Sequence, residues 1–365
     1  MKIEKIEVFV VGPEEKHYTW SEDIPEIYQS NTILRMHTDK GIIGESAVWN
    51  ATYFEYDKYT AESLKHFLPI LIGRDPLDKD SILYDIRPRV FPMPPGAQAA
   101  IDNCLWDIIG KQANVPIYKL LGGRRDKIKS YASTVMYESI DEYLRVIEDM
   151  KNQGFQAVKI KVGQLEIKED LKRVKLARKI LGDKIELRLD ANRSWNWDQA
   201  LNFLSSIKED KIHYCEEPLR DITKIEKLYD ETKIPLALDE TIWEKSNPKN
   251  LPKEGIKAYI LKPCLLGGWY NTKLWIDFAE IEDIQVILSS SFETGLGLNW
   301  NAYLSANLIK KQLPSGLDTV KWFKHDIIDP PFEIKNGFYV FPDSWPEAKN
   351  NYLKFLDKGT FLTSF

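Results

Sequence analysis

AVKIKVGQLEIKEDLKRVKLARKILGDKIELRLDANRSW, Ala157–Trp195, is the stretch that decides the fold. Ala157–Val162 is a short β-rich run, Glu169–Leu181 is an amphipathic helical stretch, and Ile185–Asp190 is a second β-rich run. Outward from this unit the same rhythm recurs from about Lys129. Its further runs are Ser130–Thr134, Ile212–Glu217, Pro235–Glu240, Ala258–Pro263 and Gln285–Ser290, with a weaker eighth at Gly316–Val320. Glu142–Gln153 and Thr272–Ile281 supply helices between them. Alternating β and α units imply a parallel sheet, and about eight repeats imply closure into a barrel.

The chain ahead of Lys129 is built differently. Ile3–Val11, Thr32–His37 and Gly44–Val48 read as antiparallel strands, the last two joined by a turn at Asp39-Lys40-Gly41. Tyr59–Leu68 and Ala99–Gln112 have helical spacing. The prolines of Phe91–Gly96 predict a loop. This pattern is that of an α+β domain. The expected organisation is an α+β capping domain over 1–125, a barrel over 126–324, and a segment, 325–365, that returns to the cap.

Composition narrows the function. At 365 residues the chain exceeds what one core usually supports, and 43% hydrophobic with 29% charged residues suits a folded protein. A net charge of −5 argues against a nucleic-acid partner. Cys104, Cys215 and Cys264 are sparse, odd in number and lack a CxxC pair, so neither a disulfide scaffold nor a zinc site is expected. No apolar run reaches membrane-spanning length, and charges interrupt the first ten residues. The expectation is a cytoplasmic protein with no membrane partner. The sequence sets no oligomeric state, and a homo-oligomer is compatible with it.

Polar residues recur at the C-terminal ends of the barrel runs: Lys159 and Lys161, then Asp190, Glu216, Asp239, Lys262 and Ser289–Ser291. A barrel gathers such residues at one mouth, where these folds keep active sites. A lone Asp at such a point would be read as a helix cap. Three carboxylates, Asp190, Glu216 and Asp239, on successive strands instead predict a hard divalent ion, Mg²⁺ first and Mn²⁺ second. Lys161 and Lys262 flank them as general acid/base candidates. Lys159 points to the same side as Lys161 and suits charge balance. Trp20 and Trp49 lie in segments that could close over the site. No P-loop, dinucleotide fingerprint or GxSxG elbow is present, and the five histidines show no ligand spacing.

These residues resemble the enolase superfamily in its muconate lactonizing enzyme-like branch. The resemblance runs through AAIDNCLWDIIGKQANVPIYKLLGG (Ala99–Gly123), AVKIKVG, LRLDANRSW, CEEPL, ALDET and LKPCLLGG. It implies a modified TIM barrel, (β/α)₇β, with a cap formed from both termini. Within the branch the chain is most similar to o-succinylbenzoate synthases of menaquinone biosynthesis. That likeness rests on Arg193 after Asp190-Ala191-Asn192, Lys262-Pro263 with Leu265 and Gly267-Gly268, SSSFETGLGL (Ser289–Leu298), and Gly316-Leu317-Asp318-Thr319. The N-terminal region is longer than in compact synthases and reads like lactonizing enzymes or racemases.

The resemblance implies abstraction of a proton α to the carboxylate of a small substrate, giving an enediolate. In the synthase, Lys161 takes the proton and returns it to the leaving hydroxyl, while Lys262 stays charged against the ring. Relatives with the same two lysines racemise N-acylamino acids, epimerise dipeptides or isomerise muconates. In the racemases the lysines exchange acid and base roles on opposite faces. A non-catalytic binding protein on a vestigial barrel is the alternative of a different class. It is disfavoured because a binder has no need of two lysines around a metal.

Overall fold

The computed structural model describes residues 1–12, 30–49, 59–86, 93–135, 137, 139–245, 247–308, 313–348 and 360–364. At the N-terminus β1 (Ile3–Val11), β2 (Asn31–Thr38) and β3 (Ile43–Trp49) form an antiparallel sheet. Gly41, at φ 74, turns the chain between β2 and β3. Helices α1 (Tyr59–Leu64), α2 (Lys79–Asp85) and α3 (Pro95–Ala113) follow, then α4 (Ile117–Leu120).

Helix α3 lies across β3, and Gly44 permits the contact. A Cβ there would stand 2.5 Å from Ile108 and 2.6 Å from the Cys104 carbonyl oxygen. The helix starts four residues earlier than its apolar spacing predicts. Of the expected Phe91–Gly96 loop, Phe91 and Pro92 lie outside the described residues, and Pro95 and Gly96 are already helical. Proline is tolerated there because the first helical turn needs no N–H partner. Asn114, at φ 52, closes the helix in the left-handed conformation that asparagine accepts readily.

The barrel begins after β4 (Lys127–Lys129). Seven parallel strands follow in sheet order: β5 (Ala132–Ser133), β6 (Ala157–Lys161), β7 (Glu186–Asp190), β8 (Ile212–Glu216), β9 (Leu236–Leu238), β10 (Ile256–Leu261) and β11 (Gln285–Leu288). The connecting helices are α5 (Ile140–Asn152), α6 (Ile167–Leu181), α7 (Trp197–Ser206), α8 (Ile225–Thr232), α9 (Glu240–Glu244), α10 (Pro263–Leu266), α11 (Trp269–Ile281) and α12 (Gly295–Asn307). Local sequence sets their starts. Asn196 and Gln199 form a capping box on α7, and the Ser139 hydroxyl accepts from the Glu142 N–H at the head of α5.

The eighth strand expected over Gly316–Val320 is not a strand. Closure falls to single bridges, Ser289 with Gly316 and Ser130 with Ser315. At this bridge only glycine fits: a Cβ on Gly316 would stand 2.4 Å from Ser289 Oγ and 2.5 Å from the Tyr131 hydroxyl. The chain meets the barrel there too closely for ordinary side chains. The fold is therefore an α/β modified TIM barrel of the (β/α)₇β kind with an α+β cap.

Beneath the mouth the barrel is filled by Arg188, which is fully buried. Its guanidinium lies 5.1 Å from the Tyr131 ring and 5.3 Å from the Tyr214 ring, and it donates to the Pro314 carbonyl oxygen and to Glu186 at 2.8 Å each. After the barrel come β12 (Ile328–Asp329), β13 (Phe338–Val340), β14 (Glu347–Ala348) and β15 (Thr360–Ser364). β13 pairs with β4, whereas β15 pairs with β1 and so joins the N-terminal sheet. No helix among the described residues is long and apolar enough to cross a membrane.

Candidate active site

The C-terminal ends of the barrel strands converge on one polar cluster. Lys159 and Lys161 alternate along β6, so both project to the inner side. The Lys159 amine donates to Asp190 Oδ2 at 2.9 Å and to the two Glu216 oxygens at 3.0 and 3.1 Å. Lys161 donates to Asp190 Oδ2 at 2.7 Å and to Asn192 Oδ1 at 2.5 Å. The Asn192 amide in turn donates to Glu240 at 2.8 Å. Across the mouth, Lys262 donates to Asp239 Oδ2 at 2.6 Å.

Asp239 does not end a strand as expected. β9 stops at Leu238, and Asp239 turns the chain into α9, bringing Glu240 to the site as well. Glu240 was not among the sequence candidates. Its signal was two acids in succession at the end of a strand-like run.

Three buried carboxylates and the half-buried Glu240 thus face three amines, and their mutual fields are strong. Burial and the Asp190 charge push the Glu216 carboxyl well up. Burial and the Asp239 charge push Glu240 up to about 7. Burial would also raise Asp190, but the Lys159 and Lys161 charges outweigh it and hold Asp190 well below the usual carboxylate range. Burial alone would lower Lys262; Asp239 and Glu240 more than offset that and hold its ammonium form well above the usual lysine range.

Among the described residues no three His, Cys, Asp or Glu side chains are grouped closely enough to ligate a metal. The amines account for this, because Lys159 lies between Asp190 and Glu216 while Lys262 holds Asp239. The chemistry of the donor set nevertheless fits a hard divalent cation. Its donors are all carboxylate oxygens, and they outnumber the amines. Two of the buried oxygens, Oδ1 of Asp239 and Oε2 of Glu240, have no hydrogen-bond partner. Asp190, Glu216 and Asp239 are the residues that could hold such an ion.

The cluster forms one wall of a cavity of about 240 Å³. Trp49, Val135, Trp243, Leu265, Phe292 and Trp322 give it an apolar side, and Ser289, Ser290 and Ser291 line it with Thr319. The Ser289 hydroxyl lies 3.2 Å from that of Tyr131, and Ser290 lies 2.6 Å from Thr319 Oγ1. Trp20 falls outside the described residues. Arg193 is not among the lining residues. Its guanidinium is held by Glu217 at 2.9 Å, Glu244 at 2.6 Å and Thr241 at 2.8 Å, clasping the turns after β7 and β8 to helix α9. Tyr131, Trp243, Phe292 and Trp322 were not singled out, because scattered aromatic residues carry no spacing that marks a cavity wall.

Two family models match the chain. Mandelate racemase / muconate lactonizing enzyme, N-terminal domain, matches residues 6–122. Enolase C-terminal domain-like matches residues 142–345. The chain is similar to the N-succinyl-L-Arg/Lys racemase of Bacillus cereus, at 30% identity over 308 residues, 81% of this chain and 82% of that one. It is 27% identical over 330 residues to the chloromuconate cycloisomerase of Cupriavidus pinatubonensis, covering 87% of each. In fold it is similar to the dipeptide epimerase of Cytophaga hutchinsonii solved with Mg and the dipeptide D-Ala-L-Val. There the TM-score is 0.84 at 22% identity, over 97% of this chain and 98% of that one. The chain belongs to the enolase superfamily, in its mandelate racemase and muconate lactonizing enzyme group.

Proposed function

We propose that the protein racemises or epimerises small carboxylates that carry an acylated or peptide-linked nitrogen on the α-carbon. One observation carries this most. β6 and β10, which bring Lys161 and Lys262, are four positions apart in an eight-position ring, so the two amines face each other across the cavity. A two-base reaction needs that arrangement. The kinship with an N-succinylamino acid racemase supports it.

In this reaction Lys161 removes the α-proton from one face. The Cα–H bond breaks, an N–H bond forms, and the electron pair moves into the carboxylate as an enediolate. Lys262 then gives a proton to the opposite face of the same carbon, and its amine is left neutral for the return direction. Asn192 holds the Lys161 amine at a fixed place, and Glu240 fixes the orientation of the Asn192 amide. Lys159 stays between Asp190 and Glu216 as a balancing charge. Asp190, Glu216 and Asp239 would hold Mg²⁺ or Mn²⁺, which when bound would supply positive charge against the developing enediolate.

A second reading is dehydration to o-succinylbenzoate, with Lys161 as sole acid/base group and Lys262 as a fixed cation. Leu265, which lines the cavity three residues from Lys262, favours it, because an apolar wall beside a cation suits a ring. Proton exchange into each enantiomer of an N-succinylamino acid, run beside dehydration of the cyclohexadiene precursor, separates the two. Dehydration without racemisation would reject the first reading.

A further inference from the structure

The cavity wall made by Ser290, Ser291 and Phe292 is held in place from the cap. Asn31 opens β2, is fully buried and is not a lining residue of the cavity. Its side chain reaches a backbone segment 261 to 263 positions away. The Asn31 amide donates to the Phe292 carbonyl oxygen at 3.2 Å, and its oxygen accepts from the Thr294 N–H at 3.0 Å. Donor and acceptor are both used, each on one side of Glu293.

The segment so held has an unfavourable backbone. Phe292 sits at φ 69, in the left-handed region that a bulky residue rarely adopts. Such conformations persist only where the surroundings determine them. From within the loop, the Phe292 N–H donates to Ser290 Oγ at 2.9 Å, and the Ser291 N–H donates to Glu293 at 2.6 Å. From outside, Asn31 bonds to the backbone on both sides of Glu293, while Gly316, Thr319 and Cys264 hold Ser290 and Ser291.

The same edge of the cap also reaches the cavity directly. Asn31 stands opposite Trp49 in the β2–β3 ladder, and Trp49 lines the cavity. The seam has other anchors nearby. Gly297 lets α12 approach β3, since a Cβ there would lie 2.8 Å from the Ala47 carbonyl oxygen, and Asp102 of α3 accepts from the Trp269 N–H at 2.7 Å. Asn31 is therefore not needed merely to join cap to barrel. What Asn31 holds directly is the loop backbone at Phe292 and Thr294.

We infer that Asn31 is a positioning residue for substrate specificity. Through it the cap fixes where the Phe292 backbone stands, while the Ser290 and Ser291 hydroxyls are held from the barrel by Thr319 and Cys264. Trp49 and the Ser290–Phe292 wall then present one shaped surface to the part of the substrate remote from the α-carbon. The inference rests on the cavity being the substrate site.

The test uses the full chain with Mg²⁺ and the variants Asn31→Ala and Asn31→Asp. The aspartate keeps the acceptor for Thr294 but sets an oxygen against the Phe292 carbonyl. Racemisation of N-succinyl-phenylalanine and N-succinyl-alanine is followed alongside amide hydrogen exchange of residues 290–294. In Asn31→Ala the Thr294 amide should exchange at least about tenfold faster. KM for the phenylalanine probe should rise about tenfold or more, with kcat within about threefold and the alanine probe less affected. Asn31→Asp should keep Thr294 protected while still raising KM for the phenylalanine probe. Unchanged KM despite a loosened loop, or equal loss of kcat on both probes, would overturn the inference. If the wild type turns over neither probe, the functional reading falls, and the exchange data still decide the clamp: unchanged exchange at 290–294 in both variants rejects it.

Discussion

Lys262 and Asp239 meet at 2.6 Å through one carboxylate oxygen, while the other oxygen of Asp239 is buried without a partner. An unmatched buried acceptor costs about 1–3 kcal/mol. A divalent ion at this point would engage it. Mg²⁺ or Mn²⁺ should therefore stabilise the wild type, by about 2.7 kcal/mol at a hundredfold excess over Kd. Asp239→Asn should lose most of that gain. Thermal unfolding with and without each ion, with calcium as a control, checks this, and equal shifts in both proteins would reject the assignment.

Asn192 joins Lys161 to Glu240 through its two amide ends. Asn192→Leu removes the link without touching a candidate metal ligand. The expected result is a fall in α-proton exchange of about tenfold or more, smaller than the roughly 10²–10⁴-fold loss expected for Lys161→Ala. Single-turnover exchange in D₂O measures both. Full activity in Asn192→Leu would show that the amine needs no such support.

Asp107 gives the stability a pH signature away from the site. Burial pushes its carboxyl up to about 6, against the pull of Lys111 at 2.9 Å. The folded protein therefore holds this proton more tightly than the unfolded chain does. The contribution is complete below about pH 4 and is lost as pH rises through 6, amounting to about 3 kcal/mol at most. Urea unfolding of wild type and Asp107→Asn between pH 4 and 7 reads it. The stability of the wild type relative to the variant should fall across that range, and a flat difference would contradict it.

Arg188 carries the barrel floor. Arg188→Leu leaves the Pro314 carbonyl oxygen unmatched and removes the cation from between Tyr131 and Tyr214. A loss of about 2–4 kcal/mol is expected. Chemical denaturation checks it, and an unchanged midpoint would mean that the two tyrosines and Leu repack without cost.

Much of this was legible in the sequence because strand ends and chemistry coincide. Lys161, Asp190 and Glu216 close β6, β7 and β8 at the residues where the apolar runs stop. Asp239 was legible as a site residue but not as a turn, because the strand-to-helix transition at Leu238–Glu240 leaves no glycine or proline in the chain. The eighth position closes the ring by single bridges at Ser315 and Gly316, which no local pattern distinguishes from a full strand. Arg193 carried the resemblance, but its clasp had no local signal because its partners, Glu217 after β8 and Glu244 in α9, come later in the chain. Phe292 and Asn31 were illegible for the same reason, since their meeting joins segments more than 250 residues apart.

The opposed lysines make the central claim testable in one measurement. Each enantiomer of an N-succinylamino acid is incubated in D₂O with Mg²⁺ and wild type, Lys161→Ala or Lys262→Ala, and α-deuterium incorporation is followed by NMR. The two-base account predicts exchange from both enantiomers in the wild type. Each variant should lose exchange from one enantiomer, a different one in each case, and neither should racemise. Loss of exchange from both enantiomers in Lys161→Ala, with both retained in Lys262→Ala, would contradict it.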